Sequence, residues 1–100
     1  MSQRKKQQSL NRFKLRLYVA GENELSLRAK RNLEKICKDH LRLSYELEII
    51  DIIEEPRCAL DDGVVVTPTL LKSAPPPEVK VAGDLSDLES ILVALGLKSE

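Results

Sequence analysis

Tryptophan is absent from the 100 residues, and only Phe13, Tyr18 and Tyr45 carry benzene rings. An interior without large aromatics has to be filled by Leu, Ile, Val and Ala, and a hydrophobic content of 42% supplies enough of them. A chain of this length has room for one domain and hides roughly 60 to 70% of its extended surface on folding. Cysteine is scarce too: Cys37 and Cys58 stand far apart with no CxxC, which argues against a disulfide scaffold and for two reduced, structural thiols. No apolar run of about 18 residues occurs, and no apolar stretch follows the basic start, so neither a membrane span nor a secretory signal is predicted and the cytoplasm is the expected compartment. Neither sign of charge is in excess, since 16 Lys and Arg balance 16 Asp and Glu. That balance predicts no nucleic-acid partner and no membrane-surface partner.

What is present is ordered by pattern. Residues 1–12, MSQRKKQQSLNR, are basic and polar and read as a flexible tail, because they bury too little to order themselves. FKLRLYVA then alternates, with Phe13, Leu15, Leu17 and Val19 on one face and Lys14, Arg16 and Tyr18 on the other, as a half-buried strand requires. After the turn GENE, the residues Leu25, Ala29, Leu33, Ile36 and Cys37 recur at helical spacing, predicting a helix over about 25–39. A second strand is predicted over 45–52, parallel to the first through a right-handed crossover. Pro56 and Gly63 bracket a short helix as a favourable first residue and a stop. VVVTPTLLKS and PEVKVAG read as an antiparallel hairpin. Leu88, Ile91, Leu92 and Leu95 then form a closing helix, with Ser86 and Glu89 in capping-box spacing and Gly96 at its end.

The order is βαβαββα, which resembles the thioredoxin-like fold: an α/β, three-layer arrangement on a mixed sheet. In that fold a proline before the third strand is cis, and Pro68 in TPT stands there. A cis bond costs an X-Pro peptide only about 0.5 to 1 kcal/mol. Pro75, Pro76 and Pro77 form a stiff connector, and each is a further cis candidate.

Catalytic chemistry finds little support. The redox thiols of thioredoxin-like proteins sit between the first strand and first helix, where this chain has AGENELS and no cysteine. Cys37 falls on the apolar helix stripe and reads as core, whereas Cys58 lies on a short acidic helix. Cys37 and His40 share a helical spacing, but two ligands are too few for a structural metal, and no metal or cofactor is predicted. His40 fits better as a cation at a helix end. The carboxylates Glu54, Glu55, Asp61 and Asp62 have no nucleophile or histidine beside them. GEN lacks the spacing and lysine of a phosphate loop. A basic tail without interleaved aromatics is a generic signal for nucleic acid. The chain is therefore not expected to be an enzyme.

LRLYVAGENELSLRA, LEIIDIIEEPRCALDDGVVVTPTL, APPPEVKVAGDLSD and ESILVALGL together resemble the KaiB family of bacterial circadian-clock proteins, over about Leu15 to Leu97, within a domain set at 13–97 ahead of a short end at 98–100. The resemblance implies a non-enzymatic protein that binds a hexameric KaiC-like ATPase and modulates its phosphorylation and ATPase cycle in circadian or stress-related regulation. It also implies a KaiA-like protein or sensor histidine kinase as further partners, a dimer or tetramer as possible assemblies, and an alternative ground-state fold in which the C-terminal half is rewired. Pro68, Pro75, Pro76 and Pro77 match the family prolines whose isomers differ with fold. Arg28 and Lys80 match basic residues usual on partner surfaces.

Three departures bear on docking. Gly63 in DDG stands where clock-type members commonly carry lysine, and Glu46 and Glu48 stand where small or basic residues are usual, so the partner-facing surface is expected to be more acidic. The ending reads ALG in place of GLD, and Ala94 favours helix by roughly 0.8 to 1 kcal/mol over glycine. The thioredoxin-like form, with 88–95 helical, is therefore expected to dominate. Two other readings are a thioredoxin-like stress protein acting independently of KaiC and a homo-oligomeric structural element.

Overall fold

The alternation at the start of the domain becomes strand β1 (Phe13–Val19), the first of four in a computed structural model that describes residues 12–42 and 44–99. The predicted tail falls outside the described residues, apart from Arg12. Helix α1 (Glu24–Ile36) opens on Asn23, whose side chain accepts the Ser26 N–H at 2.9 Å and so satisfies one otherwise orphaned donor. The helix runs on into a π-helical turn, Cys37–Leu41, and the chain reverses at Arg42, whose φ is +53°. Strand β2 (Tyr45–Asp51) returns parallel to β1, in register from Phe13 with Tyr45 to Val19 with Asp51.

Helix α2 (Pro56–Asp62) begins on its proline and ends at Gly63, which takes the left-handed conformation at φ +71°. The Gly63 N–H bonds to the Leu60 carbonyl at 3.1 Å and the Val64 N–H to the Ala59 carbonyl at 2.9 Å, closing the last turn. Strand β3 (Thr69–Ala74) lies antiparallel to β1, and β4 (Val79–Ala82) lies antiparallel to β3. Helix α3 (Leu88–Ala94) ends the fold. The mixed sheet runs β2-β1-β3-β4, so β2 and β4 are its edges.

Each face of the sheet has its own apolar cluster, which makes three layers. On one face Leu15, Leu17, Val19 and Leu70 pack with Ala29, Leu33, Ile36 and Cys37 of the first helical stretch and with Leu85, Ile91 and Leu95. Full burial of one such leucine stabilises the fold by about 1.5 to 3 kcal/mol. On the other face Tyr18 and Ile50 pack with Leu71 and Ala59 of α2. Because α2 covers this end of the sheet, Tyr18 is fully buried, contrary to its expected place on an outward face with Lys14 and Arg16.

Other expectations need correction. Leu25 leaves the predicted buried stripe and is half exposed, while Ser26 takes its place in the interior. The rest of the stripe keeps its predicted phase, and positions 25 and 26 both lie one turn ahead of Ala29. Val64, Val65 and Val66 are not in a strand, because β3 begins only after Pro68. The α3 cap is Asp87, whose carboxylate accepts the Ser90 N–H at 3.3 Å and the Ser90 hydroxyl at 2.8 Å. Ser86, the expected cap, instead donates its N–H to Asp84 Oδ1. Leu88 is also half exposed, and Leu85 is buried in the core instead. The closing segment is helical, as Ala94 led us to expect.

Candidate docking surface

The sheet topology gathers four connections at one end: the turns after β1 and β2, the segment before β3 and the segment after β4. Short hydrogen bonds lash them together. Asp51, the last residue of β2, accepts the N–H groups of Gly21 at 3.1 Å and Ile53 at 2.9 Å, joining the first turn to the second. The Gly83 N–H bonds to the Pro68 carbonyl at 2.9 Å, and the Thr69 hydroxyl bonds to the Val66 carbonyl at 2.6 Å. Asp84 ties the fourth connection to α1. Its carboxylate meets Arg28 at 3.2 Å, and its carbonyl accepts from Asn32 at 2.8 Å. Hydrogen bonding from Ser86, with the nearby Arg28 charge, holds the Asp84 carboxyl below its ordinary range.

This lashed end carries apolar side chains that nothing covers among the described residues. Val65 is 90% exposed, Ile53 69%, Val66 53% and Leu25 49%, and Leu60 on the outer side of α2 is 75% exposed. A Cβ at Gly21 would lie 3.5 Å from Ile53 Cδ1, so Ile53 drapes over the first turn. Exposed aliphatics gathered on preorganised loops suit a partner surface better than a reaction centre. The segment enters β3 through the Thr67–Pro68 bond, which is cis, and at the far end of the sheet the Ala74–Pro75 and Pro76–Pro77 bonds are cis, whereas Pro75–Pro76 is not.

The residues singled out from sequence do not form one constellation. Arg28 lies on α1, half exposed, and is shared between Asp84 and Glu24 at 3.7 Å. Gly63 and Lys80 do meet, since a Cβ at 63 would lie 3.7 Å from Lys80 Nζ, which also pairs with Glu78 at 3.6 Å. Glu46 and Glu48 are exposed on the edge strand, where they face Lys14 and Arg16 in register. Glu46 pairs with Arg12 at 3.1 Å and Glu48 with Arg16 at 3.3 Å, so both carboxylates serve the sheet itself.

A cluster that sequence reasoning missed joins α2 to the sheet. The Tyr18 hydroxyl donates to the Asp62 carboxylate and lies 3.1 Å from the Cys58 carbonyl, and Arg16 meets Asp62 at 2.8 Å. Burial pushes the Tyr18 hydroxyl up to about 12, with the bond to Asp62 adding to the effect. Burial opposes the charge on Asp62, but the bonds from Tyr18 and Arg16 outweigh it and leave the carboxyl below its ordinary range. The one signal in the sequence was a tyrosine following Lys14 and Arg16 on the outward face of the strand. Both thiols are free, Cys37 in the core on the opposite face of the sheet and Cys58 on α2 beside this cluster. Burial pushes Cys37 up to about 11, and Cys58 is raised by burial and by its contact with Glu55. A raised thiol pKa disfavours the nucleophilic thiolate.

A protein-family model described as the KaiB domain matches residues 16–97. The chain belongs to the KaiB family. A circadian clock protein KaiB3 of Synechocystis is 41% identical over 91 residues, covering 91% of this chain and 89% of that protein. A circadian clock oscillator protein KaiB of Rippkaea orientalis is 43% identical over 88 residues, covering 88% and 85%. These relatives are named as clock proteins and not as enzymes, and they give this KaiB-family chain a clock-related role. Among solved structures, the N-terminal domain of SasA from Synechococcus elongatus superposes with a TM-score of 0.71 at 20% identity, covering 90% of this chain and 89% of that one. Mitochondrial thioredoxin 3 of Saccharomyces cerevisiae follows at 0.67 and 16%, covering 92% and 87%. Both likenesses show the thioredoxin-like fold. Among the described residues no helix is long and apolar enough to cross a membrane.

Proposed function

We propose that this chain is a non-enzymatic KaiB-type protein that docks on a KaiC-like hexameric ATPase and modulates its phosphorylation and ATPase cycle. The family match over residues 16–97, to relatives named as clock oscillator proteins, carries the reading. The exposed apolar end of the sheet, the outer side of α2 and the β2 edge supply the contact. Edge-strand and helix-surface docking suits a small domain that reads partners through shape and main chain. Pro68 and Pro75 to Pro77 act here as conformational elements, and Arg28, Glu46, Glu48, Gly63 and Lys80 as residues at or beside the contact. A KaiA-like protein or a sensor histidine kinase is the further partner class, and self-association into dimers or tetramers is a competing use of the same surfaces. Co-purification with the KaiC homologue of the same organism, with and without ATP, tests the reading. A reproducible complex that shifts the ATPase rate is the expected result, and no complex under either condition would defeat it.

A further inference from the structure

We propose that the apolar end of the sheet receives a cationic partner surface: an aliphatic segment flanked by lysines or arginines, on the ATPase ring of the docking reading above, on which this proposal rests. The centre of the patch is Leu25, Ile53, Val65 and Val66, all exposed. Its rim is acidic. The stretches 20–25, 52–57, 63–68 and 82–87 hold six carboxylates, Glu22, Glu24, Glu54, Glu55, Asp84 and Asp87, against one cation, Arg57. This imbalance sits in a chain whose net charge is zero. Three of the six already have a side-chain partner, Asp84 in Arg28, Asp87 in the Ser90 cap and Glu55 in the Cys58 thiol. Glu24 has only a 3.7 Å contact with the same Arg28. Glu22, Glu54 and Glu55 are exposed and take part in none of the ion pairs among the described residues.

Exposed carboxylates carried by neighbouring loops repel one another wherever they stand within the roughly 8 Å screening length of physiological salt. A cationic rim relieves that repulsion while the aliphatic centre is buried, and an acidic rim would add to it. Rim charges of this kind act on encounter rate, salt dependence and choice of partner.

The test measures binding of the full chain to the purified KaiC homologue of the same organism, with ATP, over a salt series. The variant Glu22→Lys with Glu54→Lys is compared with Glu34→Lys with Asp39→Lys, an equal charge change on exposed residues at the far end of the first helical stretch. Thermal melts establish that both variants fold. The rim variant is expected to weaken binding on the order of tenfold, through slower association and a flatter salt dependence. The distant variant should stay within about twofold, as expected beyond a screening length. If the wild type binds and the rim variant binds equally well or more tightly, the cationic-partner proposal is overturned and the docking reading survives. If the wild type forms no complex at any salt, both are overturned together.

Discussion

Replacing Asp62 by asparagine removes the charge that holds α2 against the sheet while leaving the side chain's shape. In the native fold that carboxylate accepts a hydrogen bond from the Tyr18 hydroxyl and pairs with Arg16 at 2.8 Å. A hydrogen bond to a charged group contributes about 1.5 to 3 kcal/mol. The Arg16 side chain is 41% exposed, which discounts its share toward the surface-pair range of at most about 1 kcal/mol. Since asparagine keeps a weak acceptor, the net loss is about 2 kcal/mol. For a domain of this size that lowers a urea midpoint by roughly 1 to 2 M and the melting temperature by about 8 to 16 °C.

Tyr18→Phe keeps the buried ring and removes only the donor, so it should cost about 1 to 2 kcal/mol. The double variant should then fall short of the sum by about 1 kcal/mol, the mark of a shared bond. The pH dependence has a definite sign. Because the native carboxyl is held below its ordinary range, its contribution is complete at neutral pH and is lost as pH falls from about 4 through the native value. Wild type and Asp62→Asn should therefore converge in acid. Denaturation within 0.5 kcal/mol of wild type at pH 7, or strict additivity with Tyr18→Phe, would refute this account of how α2 is anchored.

Three further outcomes are expected. Asp87→Ala should destabilise by about 0.5 to 2 kcal/mol, the usual cost of a lost helix cap, and Ser86→Ala by less than Asp87→Ala, as read from paired urea titrations. Gly63→Ala should cost about 1 kcal/mol or somewhat more, because a Cβ is strained at φ +71°, even though Lys80 leaves space for it; differential scanning calorimetry measures the loss. In aromatic-disulfide labelling at pH 8, Cys58 should react slowly and Cys37 only as fast as the fold opens, so a Cys37 rate independent of added denaturant would contradict its burial.

How much of this was legible beforehand depended on how local each cause was. Strand alternation, Pro56 and Gly63 around α2, and the leucine spacing of α3 are short-range signals, and the elements formed where those signals lay. Tyr18 was misplaced because its burial depends on α2, some 40 residues later, folding back over the sheet. Leu25 and Ser26 exchanged roles in the first turn alone, since Ala29, Leu33, Ile36 and Cys37 are buried where the spacing put them, and positions 25 and 26 both lie one turn ahead of Ala29. Ser86 and Asp87 are both good caps, and only the direction of the incoming chain decides between them. The docking surface was half legible. The acidity of residues 46 to 62 was plain, yet only the register of β1 with β2 revealed that Glu46 and Glu48 are spent on Arg12 and Arg16.

That pairing of opposite charges also locks the alignment of the edge strand. A slide of β2 by one position would turn both carboxylates into the aliphatic interior and expel Tyr45 and Leu47 to water, a change no marginally stable domain tolerates. An edge strand with a single allowed alignment shows every visitor the same sequence of main-chain donors and acceptors, and so remains a dependable template for a neighbouring strand.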